Sequence, residues 1–149
     1  MTAHELPPSL GEIRDAFLSL STPDRLQLLL EFSDDLPELP EQYRDHPDLF
    51  ERVEECQAPV FVFAEVDAEH LVRLFITAPV EAPTTRGFAS VLMHGLTGVH
   101  VDDALAVPDD FPAQFGLTAA ISPLRVRGMS ALLWRAKRQI ESSARALTL

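Results

Sequence analysis

The chain has 149 residues, of which 46% are hydrophobic, and a formal net charge of −11 from 12 Lys and Arg against 23 Asp and Glu. That length fits one domain with one ordinary core, and a mean hydropathy of +0.05 describes a folded, soluble chain rather than a disordered one. No apolar run approaches the ~20 residues of a membrane span, a single cysteine cannot close an internal disulfide, and the acidic balance repels phosphate, which disfavours a nucleic-acid binder.

Met1-Thr-Ala-His-Glu-Leu-Pro-Pro has neither a basic nor an apolar leader region, so a reducing cytoplasm is the expected location. Ser9-Leu10-Gly11-Glu12 has capping-box spacing, with Ser9 as the cap and Glu12 reaching back. Ile13, Ala16, Phe17 and Leu20 then recur at helical spacing, which predicts an amphipathic helix over 10–20. Thr22-Pro23-Asp24 restarts a helix with a hydroxyl cap, a first-turn proline and an acid at the positive dipole end. Its stripe is Leu26, Leu29 and Leu30, with Leu28 and Phe32 beside it, and it stops near Asp34. So short a link between the two predicts a helical hairpin.

Leu36-Pro37-Glu38-Leu39-Pro40 is expected to be extended, because proline disfavours helix for the residue before it. Residues 41–58 read as a long acidic loop with a turn of structure around Asp48 to Val53. Two runs rich in β-formers, 59–66 and 71–78, flank Asp67-Ala68-Glu69-His70 and predict a hairpin. Pro79 to Pro83 ends the sheet. Thr84 or Thr85 caps the next helix, whose apolar face is Phe88, Val91, Leu92, Gly95 and Leu96, with Gly98 as its stop. Residues 99–119 are irregular and acidic, with short helical turns near Asp103 and Pro108. Ser122-Pro123 opens a long helix to about Ala146 with a core face of Met129, Leu132, Leu133, Ala136 and Ile140. Trp134 lies off that stripe, and Gly128 allows close packing.

Charge is unevenly distributed along this order. Residues 1–57 hold fourteen acids against four bases, and residues 58–119 hold eight against two. From residue 120 onward six bases (Arg125, Arg127, Arg135, Lys137, Arg138, Arg145) face Glu141 alone. Most of these bases fall on the last helix without aromatic platforms for nucleobases. Neutralisation of the acidic N-terminal half, or docking of an acidic partner, is the expected role.

Cys56, the only cysteine, stands between the acidic segment and the first strand-like run, Val60-Phe61-Val62-Phe63. Followed by Gln57, Ala58 and Pro59, it is expected on a loop tip, since Pro59 cannot donate to a ladder and marks a strand start or a bend. Free cysteine is commonly a buried small hydrophobe, whereas Glu51, Glu54 and Glu55 would be costly to bury beside it. Local context leaves both readings standing. Those glutamates, with Arg52 as the only local base and no helix N-terminus predicted at Cys56, should push the thiol pKa upward.

Other catalytic patterns are not carried by this sequence. The five histidines do not cluster, and His100-Val101-Asp102 would supply only two ligands from one strand-like face, without a second pair at metal spacing. The glycines open no phosphate loop, no GxSxG elbow is present, and nothing local supports a Cys–His hydrolase. The acidic runs 34–55 and 102–110 read most simply as solvated surface.

Four segments, in order, resemble one family. Leu36-Pro37-Glu38-Leu39 is similar to its post-hairpin turn. Cys56-Gln57-Ala58-Pro59-Val60-Phe61 is similar to a Cys-Gln-Ser-x-Val-Trp segment. Glu81-Ala82-Pro83-Thr84-Thr85-Arg86-Gly87 resembles Asp-Ala-x-Ile-Val-x-Gly, and Ser122-Pro123-Leu124-Arg125-Val126-Arg127-Gly128 resembles Thr/Ser-Pro-x-Arg-x-x-Gly. The chain thereby resembles the SufE family of sulfur-acceptor proteins, through most of its length. It departs at Glu55, where the family has glycine, and at Ala58, Phe61 and Glu81, which stand for serine, tryptophan and aspartate.

The resemblance implies an α+β fold similar to the iron–sulfur scaffold IscU, with a small antiparallel sheet packed against several helices. It implies that Cys56 accepts persulfide sulfur from a pyridoxal-phosphate-dependent cysteine desulfurase (SufS-like), stimulates that enzyme and passes sulfur to an iron–sulfur scaffold complex. Gln57, Glu81 and Arg125 are implied as partner-binding residues. A cation at a helix N-terminus opposes the dipole, so Arg125 calls for a carboxylate partner. No cofactor, metal, nucleic acid or membrane enters this reading. The alternative is a non-catalytic interaction module on the same fold, its cysteine incidental.

Overall fold

The computed structural model describes residues 6–148; Met1 to Glu5, which belong to the leader reading, lie outside the described residues. Its helices are α1 (Pro8–Leu18), α2 (Thr22–Asp34), α3 (Glu41–Arg44), α4 (Pro83–Leu96), α5 (Val101–Leu105) and α6 (Pro123–Leu147). Its strands are β1 (Glu51–Arg52), β2 (Phe61–Val66) and β3 (Val72–Thr77), in one antiparallel sheet of order β1-β2-β3. The α+β class and the hairpin are as expected.

In that hairpin Val66 pairs with Val72 and Phe61 with Thr77. Asp67 Oδ1 accepts from the backbone N–H groups of Glu69 and Leu71 at 2.9 and 3.0 Å, closing the turn. Alternation sends Val62, Ala64 and Val66 to the buried face, where α6 packs on β2 and α4 on β3. Helix α4 is buried on nearly every side, which is why its apolar residues exceed one stripe. α1 and α2 cover its far side. At Gly87 a Cβ would lie 2.3 Å from the Leu29 carbonyl oxygen, so that α2 touches α4 only because position 87 is bare.

A serine hydroxyl caps α2 and α6, whereas α1 and α4 start without a side-chain cap. α1 begins two residues early behind Pro7, and Ser9 instead donates to the Gly95 carbonyl at 2.7 Å, joining α1 to α4. α2 is capped by Ser21, whose Oγ accepts from Asp24 N, with Thr22 already inside the helix. Neither Thr84 nor Thr85 caps α4, whose N-cap is Ala82. Ser122 caps α6 as predicted, accepting from Arg125 N. His100 forms an isolated antiparallel bridge with Leu71, but Asp102 lies in α5 rather than on one strand-like face with it; His100 Nδ1 accepts from Asp102 N and caps that helix.

The acidic segment 41–58 is more structured than its charge suggests. Tyr43 and Phe50 lie on the outer face of the sheet, with ring centroids 4.6 Å from Phe75 and 5.7 Å from Phe63 respectively. Tyr43 Oη also donates to Glu65 at 2.7 Å. Two aromatic anchors thus hold α3, a 3-10 turn at Pro47–Leu49 and β1 against β2 and β3.

Candidate functional site

Strand β1 sets the geometry around Cys56. Its two residues pair Glu51 with Val62 and Arg52 with Phe61, and Val53 N then donates to Val60 O at 2.8 Å. Residues 54–59 are therefore the closed end of a short hairpin, with Cys56 N bonded back to Val53 O at 3.1 Å. The loop is where the sequence put it. Its thiol is not at an exposed tip, however: Cys56 is only 9% exposed and belongs to the hydrophobic core.

Two long-range features reverse the exposed reading. Gly128 on α6 provides the niche, since a Cβ there would stand 3.0 Å from Cys56 Sγ. Of the three glutamates that argued against burial, Glu54 is exposed and the other two are paired: Arg135 donates to Glu55 Oε1 and Oε2 at 3.0 and 3.2 Å, and also to Glu51. Arg138 and Gln139 complete the shell of Glu51, Gln139 at 2.9 Å. The basic C-terminal helix does neutralise acids of the N-terminal half, as the charge distribution suggested. Sequence spacing gave no sign of which base meets which acid across 80 or more positions.

The thiol pKa is pushed up, first by burial and then by the Glu55 carboxylate, while Arg135 and Arg52 oppose the shift. The direction is as predicted; burial, not the glutamates, is the leading cause. An unperturbed thiol ionises near pH ~8.5. Alkylation of the free protein by a neutral reagent is therefore expected to show an apparent pKa above that of a small-molecule thiol. At neutral pH it should run several-fold slower, because the thiolate is the reactive form. An apparent pKa below the small thiol's would refute the placement of Cys56.

Beside the thiol opens a cleft of ≈ 540 Å³ that gathers all four predicted site residues, Cys56, Gln57, Glu81 and Arg125. The N-terminal turns of α4 and α6 both line it. Gln57, Glu81 and Arg125 are exposed, and among the described residues their side chains make no hydrogen bond or ion pair. The carboxylate partner that Arg125's position called for is thus not supplied by the described part of the chain. Thr85, 8% exposed, forms another part of the wall. Among the described residues no three His, Cys, Asp or Glu side chains gather as a metal site, and no helix is long and apolar enough to cross a membrane. The chemistry on offer is that of one sheltered sulfur at the edge of a cleft lined by both polar and apolar side chains.

Three comparisons with known proteins bear on this arrangement. The family model described as "SufE: Fe-S metabolism associated domain" matches residues 11–140. A SufE-like protein of Mycobacterium tuberculosis is 47% identical over 138 residues, covering 93% of this chain and 95% of the relative. "SufE-like protein 1, chloroplastic/mitochondrial" of Arabidopsis thaliana is 32% identical over 130 residues, covering 87% of this chain and 34% of that longer protein. Among solved structures, the solution structure of a hypothetical protein from Thermus thermophilus superposes with a TM-score of 0.82 at 38% identity, over 95% of this chain and 99% of that one.

Proposed function

Because the chain belongs to the SufE family, associated with iron–sulfur metabolism, we propose that it is a cytoplasmic sulfur-acceptor protein whose Cys56 takes persulfide sulfur from a cysteine desulfurase. In the transfer the Cys56 thiolate attacks the terminal sulfur of the desulfurase persulfide. A new S–S bond forms at Cys56, the old one breaks, and the electron pair leaves on the desulfurase thiolate. The proton of the terminal sulfur travels with it, so Cys56 ends as Cys–S–SH and nothing is oxidised or reduced overall. The acceptor needs no catalytic base of its own. The sulfur then passes to an iron–sulfur scaffold.

The observation that carries this reading is the position of the single thiol at a cleft rimmed by Gln57, Glu81 and Arg125, whose side chains have no partner among the described residues. A sheltered, protonated thiol resists peroxides and stray disulfides, and it becomes reactive when docking draws it from the niche beside Gly128. The test is to incubate the protein with a pyridoxal-phosphate-dependent desulfurase and cysteine, then weigh it intact. One added sulfur is expected; an unchanged mass alongside intact desulfurase binding would favour the interaction-module alternative. What favoured that alternative was Glu55 in the glycine position. Yet among the described residues only His70 is a non-glycine residue with positive φ, so Glu55 sits on ordinary backbone and does not strain the loop.

Arg125 is read as part of the docking surface. Arg125→Glu is expected to weaken desulfurase stimulation several-fold while moving Tm by no more than ~2 °C, since an exposed side chain without an internal partner contributes little stability. Titration of desulfurase activity against each protein form, with a thermal melt, checks both halves. Unchanged stimulation would remove Arg125 from the interface.

A further inference from the structure

The geometry points to Arg135 as a positioning residue that clasps the Cys56 loop shut against α6, with Glu55 as the releasable half of the clasp. Arg135 uses its planar fork to bridge two carboxylates that differ in how firmly they are held. Glu51 lies in β1, hydrogen-bonded to β2, and is also engaged by Arg138 and Gln139. Glu55 lies in the loop itself and, among the described residues, is engaged by Arg135 alone. Among the described residues this pair is the one side-chain hydrogen bond or ion pair between loop residues 54–59 and the rest of the chain. The loop's backbone bonds, Val53 N to Val60 O and Cys56 N to Val53 O, are local to the hairpin and leave its approach to α6 unfixed.

The pair is also placed to act on the thiol. Glu55 precedes Cys56, and a Cβ at position 128 would meet Cys56 Sγ at 3.0 Å and Glu55 O at 3.8 Å, so the residue that is tied and the residue that is sheltered dock on one spot of α6. Side-chain exposures of 16% for Arg135 and 37% for Glu55 leave the pair partly shielded, yet reachable by a docking partner. A glycine at position 55, as in the pattern this segment resembles, could not form it. The inference gains its biological meaning from the sulfur-acceptor reading.

Alkylation of Cys56 by a neutral reagent tests it without any desulfurase. The rate is followed to the high-pH plateau, where the thiol is fully ionised and the rate reports access together with the intrinsic nucleophilicity of the thiolate. Glu55→Gln removes a charge that raises the thiol pKa, and Arg135→Gln removes one that lowers it. A purely electrostatic role would thus move the two pKa values in opposite directions, and with them the two plateaus, down for Glu55→Gln and up for Arg135→Gln. The clasp predicts that both plateaus rise, on the order of 3- to 10-fold for a bidentate, partly shielded pair, and that the double variant rises no further than either single one. Added salt should raise the wild-type plateau and leave the Glu55→Gln plateau flat. A Glu55→Gln plateau that stays level or falls would overturn the clasp; if Arg135→Gln fails to fold through loss of its Glu51 contact, Glu55→Gln alone decides. Failure here leaves the mass test of sulfur loading untouched, and failure of loading leaves the alkylation result standing.

Discussion

Cys56→Ser is expected to abolish sulfur loading outright. The chain contains no second cysteine, so no other side chain can carry a persulfide. The fold should survive. Serine is smaller than cysteine, and the position keeps 9% of its surface at a cleft that water can reach, so its hydroxyl need not be left unpaired. A cost of about 1 kcal/mol is the expected scale for placing a hydroxyl in a mostly apolar niche. Cys56→Ala, which has no hydroxyl to solvate, serves as the companion variant. Intact-mass measurement after exposure to a desulfurase and cysteine, with a thermal melt of each form, checks the expectation. Sulfur retained by either variant would refute Cys56 as the acceptor.

Gly87→Ala is expected to produce the largest loss of stability among small substitutions. The new Cβ would stand 2.3 Å from the Leu29 backbone oxygen and 2.9 Å from Leu29 Cγ, and Leu29 is itself buried. A backbone oxygen in α2 cannot rotate aside, so α2 and α4 must separate. Overpacking of this kind costs about 3 kcal/mol or more, against which the better helix propensity of alanine returns only about 1 kcal/mol. A fall in Tm of roughly 5–10 °C follows for a chain of this size. Gly11→Ala is the matched control: its Cβ meets Leu6 Cβ at an ordinary 3.8 Å, and it should hold or raise Tm. Equal melting temperatures for the two variants would show the α2–α4 contact to be looser than described.

What the sequence disclosed was what local chemistry decides. The hairpin around Asp67-Ala68-Glu69-His70 followed from β-formers flanking a turn, and α6 followed from Ser122-Pro123 and an apolar stripe whose five predicted core residues are all buried. Motif order grouped Cys56, Gln57, Glu81 and Arg125, and the fold gathers the same four at one cleft. What stayed hidden depends on partners distant in sequence. Strand β1 is two residues long and exists because β2 is there to pair with it. Ser9 looks like a cap, whose Oγ would accept from a backbone N–H, but in the folded chain its hydroxyl donates to the Gly95 carbonyl. The burial of Cys56 rests on Gly128 and Arg135, both on α6. The charge asymmetry anticipated an acid–base match, but only the fold could select Arg135 rather than Arg125 as the base beside the cysteine loop.

The seam between β2 and α6 has a bearing on how the chain survives its own synthesis. Beyond the two residues of β1, the outer edge of β2 is closed by side chains of α6: Gln139 Oε1 accepts from Ala64 N at 2.8 Å, and Ser143 Oγ accepts from Val66 N at 2.9 Å. Bare strand edges recruit strands from other molecules. Because α6 is made after the sheet, Phe61-Val62-Phe63-Ala64-Glu65-Val66 leaves the ribosome with that edge unsealed and waits for Gln139 and Ser143 to cover it. Ribosome stalling or proteolysis that removes this part of α6 therefore does more than shorten a helix. It turns a protected sheet into an aggregation seed.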